Sequence, residues 1–191
     1  MADDRYDYML QPAEGIVVIS RASERHLGDL PGHPFRGNQW TETQGATLEA
    51  WLSSNPDEYA AMRDPSTAAG QKMTTLLNEM PDYTGPAYRG VMLDDEELER
   101  LTSEKTHKVS LHSSASQDEE AALNFMDQGQ GGNPVLMEMH GTAAEITGAA
   151  EELGLPEAGE LEVVVRAGTK YRFVKRVDEE GYTRVILKET R

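Results

Sequence analysis

The chain has 191 residues and a formal net charge of −16, with 34 acidic residues against 18 basic ones and no cysteine. That length suits one main domain, and the lack of cysteine excludes disulfide frameworks, thiolate metal sites and thiol nucleophiles. The acidic balance argues against nucleic acid and anionic membranes as partners. It is compatible with attraction to a basic, arginine-bearing protein, although such a charge more commonly serves solubility.

Residues 1–44 differ in composition from the rest of the chain. They contain a short apolar patch, Ile16–Ile19, and then a stretch rich in glycine, proline and polar residues that is typical of a loop or linker. The patch predicts one strand within a loop-rich N-terminal extension, which places the main domain at residues 45–191. Because no secretion signal starts the chain and no run reaches the ~20 apolar residues of a membrane span, we expect a cytoplasmic protein.

A short helix is predicted near residue 56. Asn55 is suited to the N-cap, Pro56 to the first helical position, and Glu58 to the third position of a capping box. This helix should end at about Met62.

A second helix should follow, with Asp64 as its N-cap and Pro65 in its first turn. Apolar residues then recur at i, i+3, i+4 and i+7 spacing, which predicts one buried stripe along the helix before Pro81 ends it. The stripe consists of Met73, Leu76, Leu77 and Met80.

The middle of the chain mixes strands and helices. Residues 87–92 predict a strand, and the acids that open residues 93–103 predict a short surface helix. Residues 108–116 predict an extended segment that runs into a turn. Ser116 and Glu119 have the spacing of a capping box, which predicts that a further helix begins there.

The last third of the chain is rich in β-forming residues. Turn residues at Ala167-Gly168 and Glu180-Gly181 separate these runs with hairpin-like spacing. Helices first and strands later predict an α+β fold rather than an alternating α/β fold. The predicted strands cover residues 135–141, in which Glu138 is the polar member, and residues 160–165, 166–177 and 181–189.

Three short pieces, far apart in the sequence, carry the candidate chemistry. They are TGPAYRGV around Arg89, LHSSASQDEEAALNF around Ser114, and AGELEVVVRAGTKYRFV around Glu160 and Glu162. Each has an ordinary structural explanation when it is taken alone. Arg89 suits a surface strand, Ser114 and Ser116 suit a turn or a helix cap, and the two glutamates suit the solvent-facing half of a strand.

Together and in this order, the three pieces resemble the arginine, S-x-S and E-x-E signature of the R-S-E class of mono-ADP-ribosyltransferases, which includes arginine-modifying bacterial toxins. The order of helices and strands between about Thr47 and Glu189 is similar too. The resemblance implies an α+β, ADP-ribosyltransferase-like fold in which N-terminal helices pack on two small antiparallel or mixed sheets around an NAD cleft. It also implies a toxin-like or effector-like protein that acts in a host cell.

The resemblance implies that the Tyr88-Arg89-Gly90 strand binds NAD, which is consumed as a substrate. Arg89 would hold the phosphates, since a guanidinium is a permanently charged, planar fork of donors. Ser114 would form a hydrogen bond near the nicotinamide ribose and steady the glutamate. Ala115 stands where the family usually has threonine.

Two glutamates receive separate roles from the resemblance. Cleavage of the nicotinamide–ribose bond places positive charge on the ribose, which the Glu162 carboxylate would stabilise. Glu160 precedes it by two residues, so on a strand both side chains would share one face. Since a guanidinium stays charged below a pKa of ~12, Glu160 would orient an incoming arginine of an acceptor protein and take its proton.

Other acceptors and other functions remain open at this point. The same residues are compatible with an NAD glycohydrolase, for which water is the acceptor, and with modification of nucleic acid ends. A non-catalytic module with an acidic interaction surface is a third alternative.

The remaining sequence features indicate no other chemistry. The five histidines form no i, i+4 pair, so no metal site is predicted. The GQGG stretch near Gly129 lacks the context of a nucleotide loop and is interpreted as a flexible connection. Residues 33–40, HPFRGNQW, resemble a short segment of structural proteins of actinobacterial viruses, which suggests a bacteriophage origin.

Overall fold

A computed structural model describes residues 40–52, 56–127, 131–155 and 161–190. Several features singled out from the sequence therefore lie outside the described residues. These are the strand at Ile16–Ile19, the virus-like segment up to Gln39, the cap Asn55, the connection around Gly129, and Glu160.

Helices and strands are mixed along the described ranges, as expected for an α+β fold. The helices are α1 (Glu42–Leu52), α2 (Pro56–Arg63), α3 (Ala68–Glu79), α4 (Asp95–Ser103), α5 (Glu119–Asp127) and α6 (Thr147–Glu152). The strands are β1 (Asp82–Tyr83), β2 (Pro86–Leu93), β3 (His107–Lys108), β4 (Ser113–Ser116), β5 (Asn133–His140), β6 (Ala143–Glu145), β7 (Glu162–Val165), β8 (Lys170–Asp178) and β9 (Thr183–Glu189). None of the helices in these ranges is long and apolar enough to cross a membrane.

The strands form one mixed sheet in the order β1-β6-β7-β4-β2-β5-β9-β8-β3. Strand β2 pairs with β5 along its whole length, but it pairs with β4 only where Tyr88 lies opposite Ser116. The resemblance implied two small sheets, and the structure differs because this single pair joins the two halves. The junction between β4 and β2 is consequently the narrowest part of the sheet.

The core consists of two clusters on opposite faces of β7. Val163 and Val165 belong to a cluster between the sheet and α4, whereas Val164 faces a second cluster built by the helices. Alternating side chains of one strand thus contact both clusters, which explains why residues 163–165 are all apolar. The helical cluster includes Leu48, Trp51, Met73, Leu76, Leu77 and Ile146.

Helix α3 begins later than the sequence predicts. Its N-cap is Thr67, whose side chain accepts a hydrogen bond of 2.9 Å from the backbone N–H of Gly70. Asp64 instead accepts from the N–H of Ser66 at 2.8 Å and closes a short turn before the helix. A Cβ on Gly70 would lie 1.7 Å from the Asp64 carbonyl oxygen, so the turn requires glycine there. The predicted apolar stripe is buried.

The predicted capping box at the start of α5 does not form. The Ser116 hydroxyl accepts from the N–H of Asp118 at 2.9 Å, and the Asp118 carboxylate accepts from the N–H of Glu120 at 3.0 Å. The Glu119 carboxylate binds the Arg184 guanidinium through hydrogen bonds of 2.6 and 3.0 Å. The Glu119 side chain therefore forms an ion pair with a distant residue instead of the capping interaction that the local pattern predicted.

Only one of the two predicted hairpins is present. Strands β8 and β9 are joined by a tight turn that places Asp178 opposite Thr183, with Gly181 at φ 90°. The turn at Ala167-Gly168 is different, because β7 pairs with β4 and β6 whereas β8 pairs with β9 and β3. The chain leaves one half of the sheet at this turn and enters the other half.

Helix α1 is not predicted by the sequence and begins at Glu42, shortly before the predicted domain boundary. Two side-chain contacts hold it to the main fold. The Trp40 indole donates to Glu152 at 2.9 Å, and the Gln44 amide donates to Glu79 at 2.6 Å. Helix α1 therefore belongs to the folded unit rather than to the linker.

The ring of His112 connects three segments of the fold. The N–H of Ala167 donates to Nδ1 at 3.1 Å, so the proton of the neutral ring lies on Nε2, which is 2.7 Å from the Thr74 hydroxyl. That hydroxyl donates to the Gly70 carbonyl at 2.8 Å, which leaves it free to accept from Nε2. Burial, helped by the positive charge of Arg166, lowers the pKa of His112 to about 4.

We predict that His112 makes the protein less stable in acid. Its pKa falls from an ordinary value of 6.5 to about 4 on folding, so the unfolded chain is the first to take up a proton. The free energy of unfolding should therefore fall as the pH drops from about 6.5 to about 4, by roughly 3 kcal/mol for this residue. Urea denaturation at pH 7 and pH 4.5 measures this loss.

The variant His112→Asn isolates the contribution of this ring, because its amide offers a donor and an acceptor but does not titrate. We expect the variant to lose less stability than the parent between the two pH values. Equal losses in parent and variant would show that other groups cause the acid sensitivity.

Candidate functional site

Arg89, Ser114 and Glu162 lie on three neighbouring strands at the centre of the sheet. They belong to β2, β4 and β7 respectively, and β4 lies between the other two strands. Glu162 is directly opposite Ser116, and Ser114 shares the face of Ser116 because side chains alternate along a strand. The register thus brings the hydroxyl of Ser114 to the same face as the carboxylate.

Ser114 connects the guanidinium to the carboxylate. Its hydroxyl donates to Oε1 of Glu162 at 2.5 Å, and its backbone carbonyl accepts a short hydrogen bond from Nη1 of Arg89. The three residues that the sequence analysis grouped are therefore in direct contact. They meet beside the narrow junction between β4 and β2.

The charge of Arg89 is not neutralised by a neighbouring acid. Within the described part of the chain, no carboxylate forms an ion pair with Arg89, and its buried Nε has no hydrogen-bond partner. A half-buried cation without a counter-ion carries a desolvation cost that a bound anion would offset. The side chain is accordingly suited to an anionic ligand.

Two aromatic side chains that the sequence analysis did not select lie beside the carboxylate. The indole N–H of Trp51, in α1, donates to Oε1 of Glu162 at 2.9 Å. The ring of Tyr59, in α2, is 4.9 Å from that of Trp51 and tilted by 54°, and the Arg63 guanidinium is 5.7 Å from the Tyr59 centroid. Helices α1 and α2 thus close one side of the site.

Tyr59 is also coupled to the polar groups of the site. Burial raises the pKa of Tyr59, the positive charge of Arg89 opposes this rise, and the negative charge of Glu162 adds to it. The Ser114 side chain also acts to lower the pKa of Tyr59. Tyr59 therefore keeps its proton at neutral pH and can act as a hydrogen-bond donor in the site.

Tyr88 has a different environment from Arg89, although the two are adjacent in sequence. It lies opposite Glu138 on β5 and opposite Ser116 on β4. Burial raises the pKa of Tyr88, and the charges of Glu138 and Glu119 raise it further. The charged groups that act on Tyr88 thus include Arg184, whose positive charge opposes the rise.

Gly90 has a packing role. A Cβ at this position would lie 2.0 Å from the carbonyl oxygen of Ala122 and 2.8 Å from Cβ of Met126, both in α5. Glycine therefore allows α5 to approach β2 closely.

The backbone before Glu162 departs from a regular strand. Strand β7 begins at Glu162, and Leu161 has φ 50°, in the left-handed region that a branched residue rarely adopts. The prediction that Glu160 shares the face of Glu162 assumed an extended Leu161, so strand alternation does not support it. Glu160 itself lies outside the described residues.

No group of three or more potential metal ligands occurs among the described residues.

Comparison with known proteins identifies similar structures but no similar sequence. No protein-family model and no curated protein matches the chain. Vis toxin, an ADP-ribosyltransferase of Vibrio splendidus, matches with a TM-score of 0.61 and 21% identity over 79% of this chain and 74% of that chain. Vis has also been solved in complex with agmatine.

Two further structures contain NAD or an analogue of it. Exoenzyme S of Pseudomonas aeruginosa, bound to carba-NAD, matches with a TM-score of 0.55 and 15% identity over 78% of this chain and 74% of that chain. C3stau2 of S. aureus, with NAD, matches with a TM-score of 0.54 and 13% identity over 80% and 89% of the two chains. The predicted α+β class is confirmed, and the chain has the fold of the ADP-ribosyltransferases.

Proposed function

We propose that this chain is an NAD-dependent mono-ADP-ribosyltransferase of the R-S-E class, which transfers ADP-ribose to an arginine side chain of a target protein and releases nicotinamide. One observation carries the proposal. Within this fold, Ser114 connects the guanidinium of Arg89 to the carboxylate of Glu162. The NAD in C3stau2 and the carba-NAD in exoenzyme S support the choice of dinucleotide.

Arg89 is the proposed phosphate ligand. Its Nη1 is held by the Ser114 carbonyl, which fixes the plane of the guanidinium, and within the described ranges no acid competes for its charge. A planar guanidinium can donate two hydrogen bonds to phosphate oxygens at the same time. Arg89 would thereby anchor the pyrophosphate of NAD near β2.

Glu162 is the proposed catalytic residue. When the bond between nicotinamide and ribose breaks, positive charge develops on the ribose, and a fixed carboxylate stabilises that charge. Hydrogen bonds from Ser114 and Trp51 hold Glu162 before the substrate arrives. Little reorganisation is then needed during the reaction, which is the main advantage of an electrostatic site of this kind.

Two observations support an arginine acceptor. Agmatine, which is bound in a structure of Vis, carries the same guanidinium group as arginine. The net charge of −16 favours the approach of a basic target. Glu160 is the proposed base that orients the guanidinium and accepts its proton. Because Vis is a toxin, we also propose that the chain acts as an effector in a host cell.

The experiment that tests the proposal uses agmatine as a small acceptor. Purified chain is incubated with NAD, with or without agmatine, while released nicotinamide and ADP-ribosylated agmatine are measured by mass spectrometry. We expect both products. A rate of nicotinamide release that does not depend on agmatine, with no ADP-ribosylated agmatine formed, would favour NAD hydrolysis. The absence of both NAD binding and nicotinamide release would favour a non-catalytic module.

We predict that Glu160→Gln separates transfer from cleavage. An amide cannot accept the guanidinium proton, so conjugation to agmatine should fall by on the order of 10²-fold. Nicotinamide release without agmatine should stay within a few-fold of the parent, because Glu162 is retained. Glu180→Gln, in the exposed β8–β9 turn, serves as the matched control. Equal loss of both reactions in Glu160→Gln would contradict separate roles for the two glutamates.

A further inference from the structure

Two donors from different parts of the fold converge on one oxygen of Glu162. The Ser114 hydroxyl, on β4, donates to Oε1 at 2.5 Å, and the Trp51 indole, on α1, donates to the same Oε1 at 2.9 Å. Neither donor uses Oε2. The orientation of the carboxylate is therefore set jointly by the sheet and by a helix that the sequence did not predict.

The two donors differ in rigidity. A serine hydroxyl rotates about its C–O bond, whereas an indole N–H has a direction fixed by the ring. Trp51 is only 2% exposed and packs in the helical cluster, with the tilted ring of Tyr59 against it. The Gln44 amide, in α1, donates to Glu79 of α3 at 2.6 Å and so links α1 to its neighbour. Trp51 is thus the less mobile of the two donors.

We propose that Trp51 is a positioning residue for the Glu162 carboxylate in the cleavage of NAD, an inference that rests on the proposed function. The indole nitrogen donates a hydrogen bond but accepts none, so its role is to orient the carboxylate and favour its ionised form. Trp51 neither exchanges a proton with the substrate nor needs to touch it. The first helix of the fold then forms part of the active site through this one contact.

A purely structural role for Trp51 makes a different prediction. If Trp51 only fills the helical cluster, a substitution that keeps an aromatic ring should affect stability and leave the turnover of folded protein unchanged. The chain offers a matched control in its other tryptophan. Trp40 donates to Glu152 at the same distance of 2.9 Å, but that bond lies at the surface.

The experiment compares Trp51→Phe with Trp40→Phe. Nicotinamide release is measured against NAD concentration, and melting temperature is measured for each protein. We expect the kcat of Trp51→Phe to fall between about 10-fold and 100-fold, with KM for NAD changed less than roughly 3-fold, because the lost bond acts on the reacting carboxylate. Trp40→Phe should keep the kcat and KM of the parent.

A second variant controls for packing. Replacing Trp51 by 3-benzothienylalanine keeps the shape of the indole but substitutes sulfur for the N–H group. It should show the kcat loss of Trp51→Phe with a melting temperature close to that of the parent. A parent-like kcat in this variant would overturn the inference while the proposed function stood.

A double-mutant cycle supplies a readout that does not depend on activity. The unfolding free energies of the parent, Trp51→Phe, Glu162→Ala and the double variant are measured with urea. We expect non-additive effects, because each single variant removes the same hydrogen bond. Additive effects would overturn the inference. If the parent released no nicotinamide at all, the proposed function would fail and the catalytic inference with it, even where the cycle showed coupling.

Discussion

Replacing Glu162 by glutamine will lower nicotinamide release by on the order of 10²-fold or more. The amide has the size of the carboxylate, and its oxygen can still accept the hydrogen bonds from Ser114 and Trp51. The variant should therefore fold and bind NAD nearly as well as the parent. It lacks only the negative charge that stabilises the developing ribose cation.

The measurement is the steady-state rate of nicotinamide release, together with a melting curve for each protein. Glu99→Gln, on the exposed face of α4, makes the same chemical change away from the site. We expect it to behave as the parent does. A Glu162→Gln variant with the activity of the parent would refute the assigned role of Glu162.

Arg89→Lys should raise the KM for NAD by about 10-fold to 100-fold, with a smaller effect on kcat. The lysine keeps the positive charge but has one compact ammonium group in place of a planar fork. It cannot replace the hydrogen bond of Nη1 to the Ser114 carbonyl and also form the paired hydrogen bonds of a guanidinium to the phosphates. The experiment therefore distinguishes the geometry of the guanidinium from its charge.

The matched control for this substitution is Arg172→Lys, on the exposed surface of β8, which should leave KM unchanged. NAD binding measured by calorimetry gives a second readout that does not depend on turnover. If Arg89→Lys bound NAD with the affinity of the parent, the proposed phosphate contact would be wrong.

Local patterns in the sequence predicted much of the secondary structure. The acids at the start of α4 form a capping box between Asp94 and Glu97. The apolar stripe of α3 is buried, and Pro81 follows the end of that helix. These features depend on residues within one or two turns of each other, so the sequence contains nearly all the information that they require.

The features that the sequence did not predict depend on contacts between distant segments. Helix α1 is stabilised by the burial of Leu48 and Trp51 against the other helices rather than by a strong local pattern. Glu119 was assigned to a cap, but Arg184, 65 residues later, binds it instead. Local propensity is overridden wherever such a tertiary contact is available.

The same distinction applies to the site. The motif residues were visible in the sequence, and pairing of β2, β4 and β7 brings them together at Ser114. Trp51 and Tyr59 carry no motif and reach the carboxylate only because α1 and α2 fold against β7. The assignment of Tyr88 and Gly90 to NAD binding came from the resemblance of the Tyr88-Arg89-Gly90 strand, and it stays a prediction.

A crystal structure of the chain with carba-NAD would test the central claim most directly. We predict that a phosphate lies within hydrogen-bonding distance of Arg89 and that the nicotinamide ribose lies against the carboxylate of Glu162. An analogue bound away from these two residues, or no binding at millimolar concentration, would contradict the assignment of an NAD-cleaving site to this junction of the sheet.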